Sequence, residues 1–192
     1  MDTPEFTGGW VKDEYGNTFY GLTSVEVSTG GGQSTGSSGN GDIRMVFDRS
    51  DSELRFYDDG GTPNDTSDDV LLSSFAAHNN VTTRSQGIWS TGTYSFIDRS
   101  QAHCHGSSTD SSGILRDSST GSYGENGIYR VEDFYDQNGN LRRGMGIHAG
   151  REHIPFGQNR AEGCIRTTPE AMQYLEQNLT NGRVLTEITV QD

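Results

Sequence analysis

Basic residues are scarce in this chain of 192 residues. Lys and Arg together number 14 against 27 Asp and Glu, a formal net charge of −13 at neutral pH. That balance argues against a nucleic-acid footprint or an anionic membrane surface, since both need clustered cations, and leaves room for a local basic pocket. Long apolar runs are missing too: the longest are short, such as Ile43 to Phe47, which Arg44 interrupts. A membrane span needs roughly 18 such residues, so no membrane insertion is expected. The amino end, Met1-Asp2-Thr3-Pro4-Glu5-Phe6, has neither the basic flank nor the apolar stretch of a secretory signal. A removed leader, a larger parent chain or another export route are the alternatives. Cysteine is rare: Cys104 and Cys164 allow at most one internal disulfide, too few for a scaffold, and leave the redox compartment open. Counting Gly and leaving out Tyr, apolar residues make up roughly 40%, against a usual ~45–50%. The shortfall sits in Gly/Ser/Asp stretches, and enough Val, Ile, Leu and Phe remain elsewhere for one core with long polar loops.

The first fifth stands apart. Residues 9 to 27 read as a small β element, with Trp10, Val11, Phe19, Tyr20, Leu22, Val25 and Val27 around the turn-like Glu14-Tyr15-Gly16-Asn17. Residues 28 to 41 are almost wholly Gly, Ser and Thr, the composition of a flexible linker. What precedes it reads as a short β appendage or the tail of an upstream module. From Asp42 to Asp192 the pattern is one of short strands: Ile43 to Phe47, Leu54 to Tyr57, Val70 to Phe75, Gly92 to Phe96, Gly127 to Val131, Met145 to Ile147 and Val184 to Val190. Asn138-Gly139 is a hairpin turn signal, and residues 99 to 126 read as a long loop. One helix is signalled by Thr168 as cap, Pro169 at its first position, Glu170 at its positive end and Asn181-Gly182 as its stop. Met172, Leu175 and Leu179 give it a core-facing stripe. The domain is mainly β, with this helix near its end.

Chemistry concentrates in Gly144-Met145-Gly146-Ile147-His148-Ala149-Gly150 and in Ala161-Glu162-Gly163-Cys164-Ile165-Arg166-Thr167-Thr168. His148 ends an apolar strand framed by glycines, and Cys164 precedes the helix cap. A thiol attacks only as thiolate, so it needs an imidazole within reach. The backbone N–H groups around Cys164 can form an oxyanion hole, and Gly163 has no side chain to block a substrate carbonyl. Arg166, two residues on, shares the Cys164 face of an extended strand and can meet a substrate carboxylate. The plainer reading is that a free Cys is a small buried hydrophobe and a His beside glycines a turn residue.

These residues resemble the catalytic domain of the L,D-transpeptidases, cysteine enzymes that remodel peptidoglycan. His148 is followed by fifteen residues and then Cys164, and Gly163-Cys164-Ile165-Arg166 matches the Gly-Cys-x-Arg core of that family. Ile43 to Tyr57 and Val70 to Phe75 resemble its opening strands. Ser90-Thr91-Gly92-Thr93-Tyr94 is similar to its Thr-Pro-x-Gly-x-Tyr strand start, without the Pro. The likeness spans residues 42 to 192 and implies an L,D-transpeptidase-like β-sandwich with one helix after the catalytic Cys segment. It implies that Cys164 is the acylated nucleophile, His148 its base, the Ala149 carbonyl the group that orients the imidazole, Gly163 and Cys164 the oxyanion contacts, and Arg166 a residue that positions the stem peptide. No cofactor and no metal are called for. The substrate would be peptidoglycan stem peptides, met in the periplasm, at the cell surface or after secretion, with the chain as the possible toxic domain of a larger secreted antibacterial protein.

Ala161 and Glu162 depart from the family, which commonly has Ser or Thr and then His there. A negative Glu162 raises the Cys164 pKa unless it points away or pairs with Arg151 or Arg160. His precedes Cys by a short interval, the reverse of papain-like proteases, so the loop from Ala149 to Glu162 lines the site, and His153 and Arg151 within it are candidate substrate contacts. Transpeptidation, D-amino-acid exchange and carboxypeptidase trimming remain open, beside a non-catalytic wall-binding module or a Cys hydrolase of another amide. Elsewhere, His103-Cys104-His105 lacks a second ligand cluster with zinc spacing. The acidic stretch from Asp58 to Asp69 suits calcium in composition and lacks the EF-hand spacing. His78 and His153 fall in no recognisable motif, and a Cys104–Cys164 disulfide would silence the nucleophile.

Overall fold

The computed structural model describes residues 8–12, 18–22, 41–62, 65–79, 87–106, 108–151, 154–156 and 162–192. The chain divides into two compact units, residues 1–37 and 38–192. In the first, β1 (Gly8–Lys12) and β2 (Thr18–Leu22) pair antiparallel with Trp10 opposite Tyr20. The turn expected at 14–17 and most of the expected linker lie outside the described residues.

The second unit holds β3 (Ile43–Asp48), β4 (Glu53–Asp58), β5 (Val70–His78), β6 (Gly92–Ser95), β7 (Ser108–Thr109), β8 (Leu115–Arg116), β9 (Tyr129–Arg130), β10 (Phe134–Tyr135), β11 (Leu141–Arg142), β12 (Gly146–His148), β13 (Ile165–Thr167), helix α1 (Pro169–Thr180) and β14 (Leu185–Gln191). Eight of these strands form one sheet in the order β6-β14-β3-β4-β5-β13-β12-β9. Two pairs are parallel, β14 with β3 and β12 with β13. Among the described residues the fold is mainly β with one helix, directly after the Cys164 segment. Its two layers come from a single sheet curling on itself: the outermost strands meet through a Phe96–Val131 bridge, with the Ile97 N–H donating to the Arg130 carbonyl at 2.9 Å and the Glu132 N–H to that of Ser95 at 2.9 Å.

Alternation along the strands sets the core. Met45, Phe47, Leu54, Phe56, Ala77, Ile147, Ile165, Ile188 and Val190 turn inward with Trp89 and are almost fully buried. Each such large side chain contributes about 1.5–3 kcal/mol relative to exposure. Helix α1 starts where Thr168 Oγ1 accepts the Ala171 N–H at 3.2 Å, and Pro169 fits the position whose N–H needs no partner. Its stripe of Ala171, Met172, Leu175 and Leu179 completes the core, and Tyr174 packs on Phe56 and Phe75 with ring centroids 5.6 Å apart. Arg44, which interrupts the apolar run of β3, is itself buried and holds Asp69 through two bonds of 2.9 and 2.7 Å.

Candidate active site

The parallel pairing of β12 and β13 brings the two Gly-rich segments together. Ile147 lies opposite Ile165 and His148 opposite Arg166. On the other side of β13, Arg166 lies opposite His78 of β5 and Thr167 opposite Ala77. Paired residues share a sheet face, so Ile147, Ile165, Thr167 and Ala77 point to the core while His148, Arg166 and His78 form a row across the outer face. Cys164 immediately precedes β13 and, two residues before the Arg166 that pairs with His148, falls diagonal to that histidine across the β12–β13 pair. The face is sheltered: His148, Arg166 and His78 are all buried, and Cys164 is half-buried.

Electrostatics follow from that shelter. Burial drives the His148 pKa down to about 3, helped by the Arg166 cation and His78, while the Tyr123 backbone carbonyl against the ring acts in the opposite sense. His148 Nδ1 is buried with no hydrogen-bond partner among the described residues. Burial raises the Cys164 thiol, and the exposed Glu162 raises it further, as like charge does. The Gly146 N–H directed at the sulfur and the Arg142 and Arg166 cations oppose this and favour the thiolate. The resting pair is therefore neutral thiol and neutral imidazole, with thiolate-stabilising groups in place. Tyr123 packs edge-on against His148 at 5.2 Å between centroids, and burial followed by the Cys164 charge raises its own hydroxyl.

Behind the cysteine is a polar frame. Asn79 Nδ2 donates to the carbonyls of Gly163 at 2.9 Å and Cys164 at 2.8 Å, Trp89 Nε1 donates to Gly163 at 2.6 Å, and the Trp89 N–H donates to Asn79 Oδ1 at 2.9 Å. Both carbonyls thus turn inward. Gly163 has φ +132°, and a Cβ there would lie 2.8 Å from Arg142 Nη2, a buried guanidinium that also donates to the Gly87 carbonyl at 2.8 Å. Gly150, at φ +79°, allows the Arg166 guanidinium to lie where its Cβ would be, 1.0 Å from Nη2.

Cys164, His148, Gly163 and Arg166 come together, while Glu162 and Arg151 lie on the exposed rim. Ala149 differs from expectation: its carbonyl accepts Arg166 Nη2 at 2.8 Å, and the carbonyl against His148 is that of Tyr123, whose loop packs on this strand through the Gly150 N–H. Among the described residues Arg151 makes no ion pair with Glu162, and His153, Arg160 and Ala161 lie outside the described residues. Both cysteines are free. Among the described residues no group of three or more His, Cys, Asp or Glu is placed to hold a metal. In the acidic stretch, Asp58 and Asp59 accept backbone N–H groups of residues 41, 42, 60 and 61, and Asp69 pairs with Arg44. A cavity of about 230 Å³ opens elsewhere, between the β7–β8 hairpin and α1, lined by Arg116, Asn126, Tyr129 and Glu176. His78, Asn79, Trp89, Arg142 and Tyr123 are the site's unforeseen members.

Solved structures similar to this chain include Bd1075 of Bdellovibrio bacteriovorus, at 12% identity and a TM-score of 0.51, over 79% of this chain and 48% of that one. They also include L,D-transpeptidase 1 of Mycobacterium tuberculosis, at 15% identity and a TM-score of 0.41, over 78% of this chain and 61% of that one. An L,D-transpeptidase from Mycobacterium smegmatis matches at 15% identity and a TM-score of 0.42, over 79% and 59%. The likeness to Bd1075 is one of fold, and this chain spans about half the length of that structure. No family model matches the sequence, and no curated protein does. No helix among the described residues is long and apolar enough to cross a membrane.

Proposed function

We propose that the second unit is a cysteine acyltransferase acting on peptidoglycan stem peptides. The observation that carries this reading is the placement of Cys164 and His148 as diagonal neighbours across the β12–β13 pair, with the Gly146 N–H aimed at the sulfur. Because both groups are neutral at rest, His148 takes the thiol proton as sulfur attacks the carbonyl before the terminal D-residue. The C–N bond breaks, the imidazolium returns the proton to the leaving amine, and a thioester remains. An amine acceptor then gives a cross-link or an exchanged residue, and water gives a trimmed peptide. The Cys164 N–H, whose peptide plane is fixed by the Asn79 and Trp89 bonds to the Gly163 carbonyl, would meet the oxyanion beside the Gly163 N–H. Such an activity belongs to the periplasm or cell surface and fits the toxic domain of a secreted antibacterial protein.

Mass analysis of tetrapeptide muropeptides incubated with the reduced protein tests the reading. Loss of the terminal D-residue, exchange or dimer formation is expected, and none of these with Cys164→Ala. Unchanged muropeptides with the folded wild-type protein would overturn it in favour of binding or of another amide substrate.

A further inference from the structure

The cavity of about 230 Å³ between the β7–β8 hairpin and α1 shares no lining residue with the Cys164 site, and its polar walls have hydrogen bonds left unmade. Tyr129 lines it and is 2% exposed, yet its hydroxyl makes no hydrogen bond among the described residues. A buried tyrosine ordinarily finds a partner for that group, because an unpaired hydroxyl bears its full desolvation cost. Burial, then the Glu176 carboxylate, raises the Tyr129 pKa, so the hydroxyl stays a donor. Asn126 uses its amide nitrogen on Glu176 Oε2 at 3.1 Å, and its carbonyl oxygen accepts from no described group. The side chains of Ser100 and Gln101 are likewise unbonded among the described residues. Charge argues against an ionic ligand. Arg116, the cation of the cavity wall, is already held by Asp110 and Glu176 at 2.7 Å each. That leaves no cation for a phosphate or carboxylate, and a lone ammonium would leave the neutral hydroxyls and amides unmet.

We propose that this cavity is a saccharide-binding site separate from Cys164, taking one ring of a neutral oligosaccharide inside and the next ring along α1. Sugar hydroxyls donate and accept at once, which matches walls that offer both kinds of group. Ile114 and Leu115 give the C–H face of a ring an apolar wall to lie on. The volume is below the ~300–1,000 Å³ of pockets for larger ligands and suits a single ring. Beyond it, Arg116, Asn126, Glu176 and Thr180 also border a more open cleft of about 420 Å³. There Gln173 and Gln177 stand one turn apart on the exposed side of α1, placed for a second ring. A peptide fits less well, since main-chain recognition uses an open strand edge and the hairpin strands here have two residues each. The site needs nothing of the Cys164 chemistry and would hold the second unit on a polysaccharide.

Titration of the isotope-labelled full chain with cellotriose and with triacetylchitotriose, followed by amide NMR shifts, tests this without any turnover. The two sugars share their linkage and differ in the acetamido group, so the one that binds more tightly identifies the type of saccharide. Saturable shifts at Leu115, Asn126 and Glu176 are expected with at least one of them, with a Kd of about 1 mM or below. Tyr129→Phe removes only an oxygen that no described group holds, and is expected to weaken binding about five- to tenfold while the far-UV spectrum is kept. Gln177→Ala, at an exposed position, is expected to weaken it about threefold, and Cys164→Ala to leave it unchanged. No saturable shift with either sugar at about 10 mM, shifts confined to His148 and Cys164, or equal shifts with glycerol at the same hydroxyl concentration would each overturn the site. So would an unchanged affinity in folded Tyr129→Phe, or in Gln177→Ala should the first variant fail to fold. Muropeptide turnover bears on Cys164 alone, so either proposal can fail while the other stands.

Discussion

His148 bears on two pH dependences, one of rate and one of stability. With its pKa held near 3 by burial, the imidazole stays a neutral base throughout the neutral range, and the raised Cys164 thiol is the group that titrates upward. The rate of Cys164 acylation is therefore expected to climb from neutral into alkaline pH with no step near 6.5, where an ordinary histidine would titrate. A step there would show a protonated His148 in the resting protein. Stability also rises with pH, over a lower range. In the unfolded chain His148 binds its proton near pH 6.5, and in the folded protein only near 3. Between those values the unfolded state holds more protons, so stability is full above about 6.5 and is lost as pH falls, by up to about 1.4 kcal/mol per pH unit. Denaturant melts at pH 7 and 4.5 are expected to show a smaller acid loss for His148→Gln than for wild type, and equal losses would contradict the burial argument. The sequence singles these two residues out because glycines stand beside each and their spacing is short. It does not single out His78 and Asn79, since they end a strand some seventy to eighty-six residues earlier and reach the site through sheet pairing alone.

At the scale of elements, β5 shows where local pattern stops being informative. Its apolar start from Val70 to Phe75 reads as strand, but Ala76, Ala77 and His78 have little strand preference of their own. Pairing with β13 extends the strand through His78 and hands Asn79 to the site. The stretch from 99 to 126 hides the β7–β8 hairpin for a similar reason. Its strands have two residues each, and Asp110 builds the turn by accepting the N–H groups of Ser112 at 2.8 Å and Ile114 at 3.0 Å. The clearest consequence at this scale is the Asn79 clamp between β5 and the Cys164 segment. In Asn79→Ala two inward carbonyls lose a donor and the Trp89 N–H loses its acceptor, while the core side chains stay. Loss of a positioned oxyanion contact costs about 10²–10³ in kcat at most, and a support one step removed is expected to cost about tenfold or more, with KM and the far-UV spectrum little changed. A matching rise in KM would place Asn79 in substrate binding.

The second unit as a whole is held by closure of its sheet. Terminal strands of an open sheet are free to fray, whereas here β6 and β9, far apart in the strand order, are joined next to Asp98. The Asp98 carboxylate accepts the Arg130 N–H at 2.9 Å, Arg130 Nε at 2.7 Å and Nη2 at 3.0 Å, which ties the segment after β6 to β9. Nothing in local sequence marks this pair, since 32 residues separate its members. The join bears on the site because β9 is the neighbour of β12, with Tyr129 opposite Ile147, the residue before His148. In Asp98→Ala the closing strands keep the Phe96–Val131 bridge but lose the charged fork, whose bonds to charged groups are worth about 1.5–3 kcal/mol each at most. Because Arg130 is partly exposed, solvent offsets much of that loss, and a decrease of about 1–3 kcal/mol in denaturant stability is expected. Hydrogen exchange distinguishes closure from a local ion pair. If the fork holds the curled sheet shut, the amides of Ile147 and His148 exchange faster in Asp98→Ala while those of β3 and β4 keep their protection. Faster exchange limited to Arg130 and its neighbours would confine the fork's role to the rim and leave the position of His148 to β13 alone.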